Sequence, residues 1–101
     1  MNDRPAIRWE DVVCAASNQV SSRVGDEVAV LGLDRATYYG LNPVGARIWE
    51  LIQKPVRLEQ VAAIVTSEYE VDRETARHDL MELVERLLAE GLVELRHGTL
   101  P

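Results

Sequence analysis

A chain of 101 residues with 47% apolar content supports one modest hydrophobic core and leaves no room for a second. Its net charge of -6 and pI near 4.8 argue against a surface built to neutralise nucleic-acid phosphates or anionic lipid, both of which need clustered cations. Cys14 is alone, which excludes an internal disulfide; without an apolar run of spanning length or a signal-peptide pattern, the reducing cytoplasm is the expected compartment and no membrane partner is expected.

In chain order, Met1 to Pro5 is polar and proline-ended, a composition expected to stay disordered at a terminus, which leaves an ordered core of about residues 7–95. Ile7 to Trp9 and Asp11 to Ala16 fit a short extended segment over a sheet edge, and a single helical turn fits almost as well. Gln19 to Val24 reads as a strand, Gly25-Asp26 as a tight turn, and Glu27 to Leu33 as the antiparallel partner. Val28-Ala29-Val30-Leu31 is continuously apolar, which predicts a central strand covered on both faces. After a turn at Asp34-Arg35, the run Thr37, Tyr38, Tyr39, Gly40, Leu41 completes a three-strand meander. As the last strand it leaves one row of backbone donors and acceptors unpaired, and nothing charged or prolyl between Ala36 and Leu41 blunts that edge.

Asn42-Pro43 marks the change from strand to helix, because an asparagine side chain caps orphan amides and proline at the first helical position loses no hydrogen bond. The first helix is predicted from Pro43 to Gln53, with Val44, Ile48, Leu51 and Ile52 on its inner face, and Pro55 stops it. The second is predicted from Leu58 to Tyr69. Asp72 caps the third, which runs about 18 residues, roughly 27 Å, until Gly91 ends it. Val93 to Leu95 alternates as a small terminal strand would, and His97 to Pro101 is expected to fray.

The third helix carries more apolar surface than a small core needs. Ala76, Leu80, Leu83 and Leu87 fall on one side, and Met81, Val84 and Leu88, with Arg77 among them, widen the stripe to about 160°. Either the whole arc is core, or the Met81, Val84 and Leu88 flank is a binding surface, with methionine as an adaptable contact and Arg77 as a planar donor fork. On the second reading the flank and the open strand edge frame a groove for a peptide. The peptide would add a strand along Thr37 to Leu41 and send alternate side chains into apolar pockets. The unblunted edge also allows self-pairing or domain swapping, so a homodimer is a further expectation.

Neither His78 nor His97 has neighbours at a metal-site spacing, and Cys14 lies in an apolar run without a nearby histidine, so it reads as an inert thiol. Phosphate loops and paired catalytic motifs are missing, and no enzyme, metal or cofactor is expected. Three strands and three helices also suit a winged-helix DNA-binding protein. The third helix opposes that reading, since Glu74, Asp79, Glu82, Glu85 and Glu90 outnumber Arg73, Arg77 and Arg86.

The stretch Tyr38-Tyr39-Gly40-Leu41-Asn42-Pro43-Val44-Gly45-Ala46-Arg47-Ile48-Trp49 resembles the strand-to-helix signature of the PqqD-like domains, the RiPP recognition elements that hold precursor leader peptides. The resemblance extends over about residues 20 to 95 and is strongest to the stand-alone recognition subunits of lasso-peptide leader proteases. It implies an α+β fold, a three-stranded antiparallel sheet followed by three helices, in a single domain spanning 1–101. It further implies a leader peptide as ligand, presented to a separate transglutaminase-like leader peptidase and then to an ATP-dependent cyclase. Similar domains serve radical-SAM maturases, including that of pyrroloquinoline quinone, and this alternative stays open.

Overall fold

The computed structural model describes residues 7–97, so the disorder expected for Met1 to Pro5 and the fraying expected beyond His97 lie outside the described residues. Six strands and three helices follow in the order β1 (Val12–Ala15), β2 (Gln19–Val24), β3 (Glu27–Gly32), β4 (Thr37–Leu41), α1 (Pro43–Leu51), β5 (Val56–Arg57), α2 (Leu58–Glu68), α3 (Arg73–Ala89) and β6 (Val93–Arg96). The meander is present as an antiparallel sheet of order β2-β3-β4, in which Val30 faces Tyr39 and Leu31 faces Tyr38. The α+β class holds. A second sheet, of order β5-β1-β6, was not expected.

That second sheet is made where the chain returns to its own beginning. Val12 and Val13 are fully buried in β1, which pairs antiparallel with β5 on one side and β6 on the other. The N-terminal segment therefore forms the middle of a sheet, and neither a helical turn nor the cover of an edge describes it. Its carbonyls also complete α2. The cap residue Arg57 offers no side-chain bond, and the orphan amides of Leu58 and Glu59 instead donate to the carbonyls of Asp11 at 3.0 Å and Trp9 at 2.9 Å. At the far end His97 Nδ1 lies 3.2 Å from the carboxylate of Asp11, which is 1% exposed, so this histidine is tied down where fraying was expected.

β3 is central, as expected, but covered on one face only. Val28, Val30 and Gly32 point into the core while Leu31 is 43% exposed on the back of the sheet, beside Val20 and Tyr38 in the same cross-strand row. The continuous apolar run thus reflects an apolar outer face. The sheet is tied closely to the end of α3, since a Cβ on Gly32 would come within 2.9 Å of Leu92 Cδ2.

Helix ends follow local chemistry. Asn42 Oδ1 accepts from the Gly45 amide at 2.8 Å with Pro43 in the first turn. Position 45 is held small by its neighbours, because a Cβ there would meet Asn42 Oδ1 and Leu41 Cδ2 at 3.3 Å. The Asn-Pro-x-Gly run is in this way one device: it caps the helix and lets Leu41 fold against the helix start. α1 ends at Leu51, short of Gln53. Asp72 caps α3 through the Thr75 amide at 3.2 Å, and Gly91, at φ +73°, closes it with the Gly91 amide on Leu88 and the Leu92 amide on Leu87, the paired bonds of a left-handed cap. Between the layers, Trp49, Ile52, Leu58, Val61, Leu80, Val84 and Leu87 form one buried cluster. Among the described residues no helix is long and apolar enough to cross a membrane.

Candidate functional site

β4 is paired with β3 on one side, and among the described residues no strand pairs with its other side. The turn before it is locked to α3: Arg35 donates to the carbonyl of Ala89 at 2.8 Å, on a turn where Ala36 has a φ of +52°. The same guanidinium neutralises the negative end of the helix. Further along, the Tyr39 hydroxyl and the Glu82 carboxylate lie close to Arg86 and raise its guanidinium above its ordinary value. Arg35 sits beside Ala89 and Tyr39 beside Arg86, so β4 runs antiparallel to α3 with its open edge toward the helix.

Between the two lies a groove of about 590 Å³, within the size range of ligand sites. Tyr39, Gly40 and Leu41 form one wall and Asp79, Glu82, Leu83 and Arg86 the other. Val44, Ile48, Val65 and Leu80 contribute to its floor, and Tyr69, Glu70 and Val71 close the end beyond Leu41. The helices beneath are fastened together by Arg47 of α1, whose guanidinium makes paired bonds of 2.9 and 2.8 Å to Glu68 of α2. Those bonds hold the Glu68 carboxyl below its ordinary value and raise Arg47.

The expected site residues divide. Thr37, Tyr39 and Leu41 share the inner face of β4, and Tyr39, Gly40 and Leu41 line the groove. Tyr38 points the other way, 70% exposed on the back of the sheet and lying over Gly40. On α3 the expected flank faces away from this groove. Val84 is 0% exposed and belongs to the core, while Arg77, Met81 and Leu88 do not line the groove. Arg77 instead stacks over Trp9, 3.9 Å from the ring, and borders a separate shallow depression with Arg73, Ala63, Thr66 and Ser67.

The geometry of the helix explains the difference. Taking Leu80 as the inward direction, Val84 lies roughly 40° to one side with Arg77, Leu88 and Met81 beyond it, and Leu83 lies roughly 60° to the other with Asp79 and Arg86 beyond. Leu83, Asp79, Glu82 and Arg86 are therefore the groove residues that sequence reasoning missed. A usable signal was Gly91 with Arg35: the helix end and the turn before β4 meet there, which fixes the side of α3 that faces the strand.

Cys14 is half-buried, with Sγ 3.9 Å from the carbonyl of Gln53. Among the described residues no three His, Cys, Asp or Glu side chains gather as a metal site. What the groove offers is an unpaired strand edge, an apolar floor and a charged rim, an arrangement suited to holding an extended chain.

Comparison with known proteins fits this geometry. A solved structure of TbiB1 in complex with the TbiA(beta) leader peptide matches with a TM-score of 0.74 and 37% identity, over 80% of this chain and 94% of that one. Among curated proteins none matches. Residues 27–93 match the family model described as Coenzyme PQQ synthesis protein D (PqqD), a stretch that runs from the start of β3 to the first residue of β6 and takes in both walls of the groove. On that match, which spans well over half of its length, the chain belongs to the PqqD family.

Proposed function

We propose that the protein is a RiPP recognition element that binds the leader segment of a ribosomally synthesised precursor peptide. The leader lies in the groove between β4 and α3. It adds a strand to the edge at Thr37 to Leu41, which supplies backbone hydrogen bonds without regard to sequence, and alternate side chains enter the floor beside Val44, Ile48 and Leu83. The unpaired edge of β4 beside a groove of about 590 Å³ carries this reading. The leader complex of TbiB1 supports it.

The protein acts as a carrier and not as a catalyst: it holds the leader while a separate transglutaminase-like peptidase and then a cyclase act on the precursor in lasso-peptide maturation. A PqqD-type role beside a radical-SAM maturase is the second reading, favoured by the description of the family itself. The winged-helix DNA reading gains nothing from the groove wall, where Asp79 and Glu82 outnumber a single arginine, Arg86.

The test is a backbone amide NMR titration with the leader of the precursor encoded beside the gene. Shifts concentrated at residues 37–41 and 79–86 are expected. Saturable binding whose shifts fall instead on the Arg73 and Arg77 depression, or on the back of the sheet around Val20 and Leu31, would overturn the groove. Whether a peptidase or a radical-SAM enzyme co-purifies with the loaded complex separates the two maturation settings.

A further inference from the structure

We infer that the peptide held in this groove is basic at the end nearest Leu41, placing a lysine or arginine between Glu70 and Asp79. The inference rests on the groove reading above and adds the chemical class of the ligand.

Four charged residues line the groove: Glu70, Asp79, Glu82 and Arg86. Arg86 is paired, with Nη2 3.1 Å from Glu82 Oε1, and this pair lines the groove with Tyr39 of β4. Glu70 and Asp79 lie toward the other end, where the strand gives way to α1. Glu70 has no ion pair among the described residues, and Asp79 meets only its exposed chain neighbour His78, at 3.5 Å. This end of the groove is therefore anionic over an apolar surface of Leu41 and Val71. A lysine or arginine side chain suits such a place, since its methylenes lie on the apolar surface while its head reaches the rim carboxylates.

The opposite flank of α3 has the reverse sign. Arg73 and Arg77 face the depression there, with Glu59 alone among its lining carboxylates. A basic peptide is thus drawn to one side of the helix and repelled from the other, and the net charge of -6 helps its approach. An acidic segment in the groove would meet two uncompensated carboxylates, which turns the rim into a filter as well as an attraction.

The test uses a random 12-residue displayed peptide library, selected against the wild-type protein and against the double variant Glu70→Gln, Asp79→Asn. Groove-dependent binders are those lost on Leu83→Glu, with the milder Leu83→Asn run in parallel and both variants checked by thermal melting. Wild-type, groove-dependent binders are expected to show lysine or arginine at one fixed distance from their apolar anchor positions, and the double variant should lose that enrichment. A selected peptide should bind the double variant about 3- to 10-fold more weakly at low salt, with the gap narrowing as salt rises, as rim ion pairs do. Groove-dependent binders without basic enrichment, or with enrichment unchanged in the double variant, would overturn the charge inference and leave the groove standing. Binders that all survive both Leu83 variants would overturn the groove reading itself, and the inference with it.

Discussion

The two flanks of α3 share one backbone, yet one is covered and the other is open. On the covered side, Arg77 lies on Trp9, and Leu88 packs against the core. On the open side, Asp79, Glu82, Leu83 and Arg86 face β4 across a groove. The difference comes from where the rest of the chain goes. The N-terminal segment runs past one flank to cap α2 and form the middle of a sheet, whereas β4 approaches the other flank and leaves a groove between them. Apolar content therefore does not mark the open side of this helix. The more apolar flank is the one already used.

The sharpest way to break this comparison is a charge on each side of Leu80. Val84→Glu buries an unpaired carboxylate at a position that is 0% exposed, and it should destabilise the domain by about 3 kcal/mol or more, read as a lowered urea midpoint. A Val84→Glu protein that melts like wild type would place Val84 on a surface and reverse the two flanks.

How much of this was readable beforehand depended on whether a feature is local. The cap at Asn42, the proline after it, the stop at Gly91 and the β2-β3-β4 meander all rest on contacts a few residues apart, and their chemistry is written in neighbouring positions. β1 and β5 are different: two residues of β5 have no period of their own, and they form a strand only because Val12 and Val13 are present to pair with them. The side of α3 that faces β4 was not legible for a related reason. Leu83 and Val84 sit at similar angles either side of Leu80, so the periodicity is nearly symmetric, and what breaks the symmetry is Trp9, some seventy residues away in sequence.

On the open flank the matching change is Leu83→Glu. It removes an apolar contact from the groove and asks a leader peptide to desolvate a carboxylate, so leader affinity should fall by about tenfold or more, equivalent to at least ~1.4 kcal/mol. Thermal stability should fall less than for Val84→Glu, because Leu83 is only half-buried. Calorimetric titration of both variants gives the comparison directly, and unchanged leader affinity in a folded Leu83→Glu protein would remove this flank from the site.

Arg77→Ala tests the covered flank with a smaller expected effect. Losing the stack on Trp9 should lower stability by about 0.5–1 kcal/mol and alter the tryptophan fluorescence, while leader affinity stays within error. A large loss of leader binding without a stability change would mean that the peptide wraps over both flanks.

The smallest effect is a pH dependence that belongs to the open side. Arg47 joins α1 to α2, two helices that contribute to the groove floor, through Glu68, and that bond lowers the Glu68 carboxyl below its ordinary value in the folded protein. The folded state thus binds the Glu68 proton less readily than the unfolded chain. The stabilising contribution is complete above the ordinary carboxylate range, about pH 4.3, and is lost as pH falls through the lowered folded value. Glu68→Gln should therefore melt slightly below wild type at neutral pH, and the gap should close on acidification. The pair is exposed, so salt should shrink the gap as well. A gap that persists unchanged into acid would mean that Glu68 acts through packing and not through its charge, and the fastening of α1 to α2 beneath the groove would then have to be sought in the apolar contacts around Ile48 and Val65.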